Sequence, residues 1–151
     1  SLVALTLAHR LATAGGRGGE PMARAAIACG VTAGLDHADV GSGVPGAVLD
    51  RFAGTQHHQL APLHLDPASF PPLLLLHGDA DAEVPAAKAQ RLRVRLAEAG
   101  ESSELAVLAG LGHQFIERPW ERGARQALER ILPFLEAHAR LPEAEAAEAH
   151  G

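Results

Sequence analysis

The run Pro72-Leu73-Leu74-Leu75-Leu76-His77 constrains the fold of this chain more than any other stretch. Its successive leucines leave no polar face, and prolines on one side and Gly78 on the other bound it. A short segment that is apolar on both alternating faces reads as a strand buried on both sides of a parallel sheet. Neighbouring parallel strands must be joined by crossovers, usually helical. The surrounding sequence should therefore alternate between helix and strand.

It does. After the run, Pro85 suits the first turn of a helix and Gly100 the position just past its end. The stripe Ala89, Leu92, Leu96 and Ala99 would face the core, and Arg91, Arg93 and Arg95 the water. Ser103-Glu104-Leu105-Ala106-Val107-Leu108 follows as a strand. A last helix is expected from about Pro119 to Ala139, burying Trp120, Ala124, Leu128, Ile131 and Leu135 and kinked at Pro133. Upstream, Leu2 to Ala14 has helical spacing, Gly15, Gly16, Gly18 and Gly19 form a loop, and Ala23 to Val31 reads as a short strand. Residues 33–70 are irregular, with a short helix expected near Ala47–Phe52; so long a loop in a compact domain is usually functional. The fold class expected is α/β, with parallel strands alternating with helices.

A length of 151 residues fits one domain with a real core, and 47% hydrophobic residues against 21% charged is ordinary globular composition. The net charge of −5 argues against a nucleic-acid partner, because phosphate binding needs a basic face. The single cysteine, Cys29, excludes an internal disulfide framework and a multi-cysteine zinc site. No apolar run approaches the roughly 18 residues of a membrane span. Localisation stays open.

In parallel α/β sheets chemistry gathers in the loops at the carboxyl ends of strands. Two such loops are polar here: His77-Gly78-Asp79-Ala80-Asp81-Ala82-Glu83-Val84-Pro85 and Gly110-Leu111-Gly112-His113-Gln114-Phe115. An acid after one strand and a histidine after the next would meet above adjacent strands. The carboxylate would then fix the imidazole tautomer, and the free ring nitrogen could take a proton from a serine hydroxyl.

The frames His77-Gly78-x-x-Asp81-x-x-Val84-Pro85 and Gly110-x-Gly112-His113-x-Phe115 resemble the end of the α/β-hydrolase fold. The likeness is to its esterase/lipase, feruloyl-esterase-like and prolyl-oligopeptidase-like branches, and covers Ala23 to about Ala139. It implies that Asp81 is the acid and His113 the base of a catalytic triad. His77 and Gly78 would shape the turn, and Val84 and Pro85 begin the next helix. The activity implied is hydrolysis of small-molecule carboxylic esters, with no metal or organic cofactor. Triad order in this fold is Ser, Asp, His. Ser1, Ser42, Ser69, Ser102 and Ser103 all lack a Gly-x-Ser-x-Gly frame, so the nucleophile is expected a few residues before Ser1. On this reading residues 1–139 are the C-terminal half of a hydrolase domain, followed by an Ala/Glu-rich tail over 140–151. The partner of this half would be the missing half of the same domain. Without it, the strand around Ala25–Cys29 would offer an open edge and the chain would self-associate.

Blander readings exist for each residue. Asp81 before Val84-Pro85 could simply cap the next helix, Asp79 is the fallback acid, and His113 could be a loop histidine bonded to backbone. His77, Asp79, Asp81 and His113 together offer metal-type ligands, although their spacing matches no metal motif. His57 and His58 suit a surface, and Cys29 a buried structural position. A non-catalytic binding remnant of the fold, or a peptidase of the same superfamily, are the alternative functions.

Overall fold

The computed structural model describes residues 23–31 and 61–139. Three parallel strands form one sheet in the order β1 (Ala26–Cys29), β2 (Leu73–Gly78), β3 (Ser103–Leu108). Helix α1 (Ala87–Glu98) connects β2 to β3, and α2 (Arg122–His138) follows β3. Ala28 stands opposite Leu75, and Leu75 opposite Leu105. The expected helices at 2–14 and 47–52, the glycine loop and His57-His58 lie outside the described residues. Between 61 and 70 the irregular region holds two 3₁₀ turns, Pro62–His64 and Pro67–Ser69.

The leucine run explains the layering. Side chains alternate across a strand, so Leu73 and Leu75 enter one core with Ala89, Leu92 and Leu96 of α1. Leu74 and Leu76 enter the opposite core with Phe115 and with Ala127 and Phe134 of α2. All four leucines are buried. A helix on each face is what allows a strand with no polar side.

Helix α1 begins two residues later than Pro85 suggests; the Pro85 carbonyl accepts the Lys88 N–H just ahead of its first turns. Gly100 follows the helix end as expected, donating to the Ala97 carbonyl. Arg91 and Arg93 face water, but Arg95 is half-buried and donates from Nη2 to the Leu65 carbonyl at 3.4 Å. Ala99 is exposed because the chain is already leaving the core there.

Helix α2 departs further from expectation. Pro119 and Trp120 lie in a turn before the helix, where the Glu121 N–H donates to the Arg118 carbonyl and Arg118 pairs with Glu121 at 2.9 Å. The buried positions are Gly123, Ala124, Ala127 and Phe134, with Ile131 half-buried. Trp120 is 79% exposed, and Leu128 and Leu135 also lie on the outer side. The reason is local: a Cβ on Gly123 would stand 2.6 Å from the Phe115 carbonyl oxygen, so the helix presents its small residues where it meets that loop. The helix continues through Pro133. No helix among the described residues is long and apolar enough to cross a membrane.

Candidate active site

The carboxyl-end loops of β2 and β3 are fastened to one another. Asp79 N–H donates to the Leu108 carbonyl and Ala80 N–H to the Leu111 carbonyl, each at 3.1 Å. In return, the Gly110 N–H donates to Asp79 Oδ1 at 2.6 Å. Gly78 makes this approach possible, because a side chain there would collide with the Leu111 carbonyl. Asp79 is thus occupied in tying the loops together and does not reach the imidazole.

Asp81 does. Its Oδ2 accepts from His113 Nδ1 at 2.8 Å, and its Oδ1 accepts from the backbone N–H groups of Glu83 at 2.9 Å and Val84 at 2.8 Å. Both oxygens of this aspartate are therefore engaged. One oxygen holds the turn into α1, and the other holds the histidine. The Asp81 side chain is fully covered, whereas His113 retains 30% exposure. Burial pushes the Asp81 carboxyl up, but the Val84 N–H, the His113 imidazole and the Glu83 N–H outweigh it. The net effect holds it below the ordinary value of 3.8, so it is a carboxylate at neutral pH.

With Nδ1 donating to the carboxylate, Nε2 is the nitrogen left to accept a proton. A cavity of about 400 Å³ adjoins the ring, lined among others by Glu83, Gly112, His113, Gln114 and Arg118. The arrangement can therefore orient an imidazole, stabilise it once protonated, and give a reactant access to its edge.

Two contributors were not apparent from the sequence. Gly30, at the end of β1 with φ +60°, lies against the His113 ring: a Cβ there would be 2.9 Å from Cε1. His77, expected only to shape the turn, is fully buried and places Nε2 2.7 Å from the Val84 carbonyl and 3.2 Å from Asp81 Oδ2. Only the Ile-Ala-Cys-Gly end of a strand and the His-Gly pair hinted at either. Cys29 lies within β1 and is half-buried, and burial pushes its thiol up, away from nucleophile chemistry. Among the described residues no group of three His, Cys, Asp or Glu is arranged to hold a metal ion.

A parallel sheet covered on both faces, with an acid and a histidine paired above adjacent strand ends, is the α/β-hydrolase fold. Residues 51–141 match the prolyl oligopeptidase family, and the chain belongs to that family. No curated protein matches it. Among solved structures it is similar to esterase 2 of Thermogutta terrifontis. The apo form is 26% identical with a TM-score of 0.64, covering 85% of this chain and 47% of that one. The form phosphonylated by sarin is 26% identical with a TM-score of 0.63, covering 80% and 46%. The butyrate-bound form is 26% identical with a TM-score of 0.62, covering 80% and 45%. The chain thus spans less than half the length of these relatives. What these likenesses establish for this chain is the α/β-hydrolase fold.

Proposed function

We propose that this chain supplies the acid and the base of a Ser-His-Asp triad that hydrolyses carboxylic esters, with the nucleophilic serine upstream of Ser1. The observation that carries the reading is the 2.8 Å contact between His113 Nδ1 and the covered carboxylate of Asp81. In that role His113 Nε2 takes the serine proton as the hydroxyl attacks the ester carbonyl, and then delivers it to the departing alkoxide. Asp81 fixes the ring and stabilises its charged form. In the second half-reaction His113 takes a proton from water, which attacks the acyl-serine; the proton then returns to the serine oxygen as the acid leaves. Because a similar esterase is known with butyrate bound, short-chain acyl esters are the first substrates to try.

The test is to read the coding sequence upstream of Ser1 for a Gly-x-Ser-x-Gly elbow, and to produce the protein with that sequence. It is then treated with a fluorophosphonate, and turnover of short acyl esters and of proline-containing peptides is compared. A single labelled serine, ester turnover, and a loss of about 10⁶-fold in kcat on His113→Ala are expected. Peptide cleavage without ester cleavage would move the reading to the peptidase branch. A protein with no labelled serine, binding ligand without turnover, would leave a binding role instead.

A further inference from the structure

We infer that His77 is a positioning residue for the Asp81–His113 pair, acting through the proton on Nε2. The inference rests on the triad reading of that pair. His77 ends the apolar run of β2 and is 0% exposed, so it touches no substrate. Its Nε2 faces two oxygens, the Val84 carbonyl at 2.7 Å and Asp81 Oδ2 at 3.2 Å. A nitrogen between two acceptors carries its hydrogen, which fixes the ring as a donor at that position. Nδ1, by contrast, is buried and has no hydrogen-bond partner among the described residues. The polar work of this side chain is therefore all at Nε2.

That work closes a ring of contacts. Val84 donates its N–H to Asp81 Oδ1 and receives the His77 proton on its carbonyl, so both of its backbone polar groups are held. His77 thereby pins the far end of the loop that carries Asp81. The same proton lies beside Oδ2, the oxygen that accepts from His113. With His77 Nε2 packed 3.2 Å from that oxygen, the side from which His113 can bond it is restricted. His77 therefore sets where His113 Nδ1 must stand, and with it the direction in which Nε2 points. Placing a polar ring in the buried end of a leucine strand costs stability. Retaining it in an otherwise apolar strand fits a task that an apolar residue could not perform.

The test compares His77→Gln, His77→Asn and His77→Leu in the protein used for the activity measurements, with Asp81→Asn and His113→Asn alongside. Gln places an amide N–H near the position of Nε2, whereas Asn reaches only to the neighbourhood of Nδ1. Turnover is read as kcat and KM separately, and the low-field NMR resonance of the His113 Nδ1 proton reports the pair independently of activity. Expected are a fall in kcat of about 10²-fold in His77→Asn and His77→Leu with KM little changed, loss or displacement of the low-field resonance, and recovery of both in His77→Gln. Should the leucine variant fail to fold, the Gln and Asn pair decides alone. Equal behaviour of those two, or an unchanged resonance in His77→Asn, would overturn the inference. Retained turnover in Asp81→Asn and His113→Asn would overturn the triad reading instead, so the two failures are distinguishable.

Discussion

Gly30 and His113 touch across the sheet end: a methyl group on Gly30 would stand 2.9 Å from Cε1 and 3.1 Å from Nδ1 of the imidazole. The glycine also sits at φ +60°, where an L side chain is strained. Gly30→Ala should therefore act twice. It should lower stability by about 1–2 kcal/mol from the backbone alone, and it should push the ring off Asp81. Thermal melts measure the first effect; the low-field proton of His113 and kcat measure the second. An alanine variant that melts lower but keeps its resonance and rate would show that the ring yields without consequence.

The two aspartates of the β2 loop should separate cleanly. Asp79→Asn keeps an oxygen for the Gly110 N–H, so it should cost about 1 kcal/mol and leave turnover within a few fold. Asp81→Asn also keeps an oxygen for Glu83 and Val84, but it can turn an NH₂ toward His113 and favour the wrong tautomer. Turnover should then fall by about 10⁴-fold. Parallel assays of the two variants check this, and comparable losses in both would contradict the division of labour.

Acid should erase the stabilising contribution of Asp81. Its carboxyl is held below 3.8 in the folded chain, by Val84, His113 and Glu83 acting against burial. A group whose folded pKa is depressed contributes its full stability above the unfolded value and loses it as pH falls toward the folded one. The stability gap between the wild-type chain and Asp81→Asn should shrink as pH falls below about pH 4, as the carboxylate takes up its proton. Urea melts along that series measure it. A gap that widens below about pH 4 would reverse the sign of the linkage.

The face of α2 can be tested by truncation. Phe134 is 3% exposed within the core shared with Leu74 and Leu76, so Phe134→Ala should cost about 3–5 kcal/mol. Leu128 is 48% exposed, and Leu128→Ala should cost under about 1 kcal/mol. Denaturant midpoints of the two variants distinguish the observed helix face from the one expected from the sequence.

That difference marks how far the sequence could be read. The leucine run and its proline and glycine punctuation placed β2, α1 and β3 closely, because burial on both faces and chain reversal leave local signatures. The same frames pointed to Asp81 and His113, which the structure brings within 2.8 Å of one another. The face of α2 was missed because pattern reading weights large apolar residues. Trp120, Leu128 and Leu135 outweighed Gly123 and Ala127, whose smallness matters only against the Phe115 backbone. Gly30 and His77 carry no local signal of their roles. Gly30 acquires one from His113, far along the chain, and His77 from the turn that brings Val84, seven positions on, back over it.

Asp81 and His113 are separated by 32 positions and a single crossover. Such a pair closes within one β–α–β unit, and its parts meet with little loop entropy to overcome. On the proposed triad, the acid–base pair can thus be assembled as a local event. A substitution that perturbs only the docking of a distant segment should leave the acid–base pair intact while turnover is lost. Damage to this protein would then fall into two spectroscopically separate kinds, one that silences the His113 resonance and one that leaves it in place over an inactive enzyme.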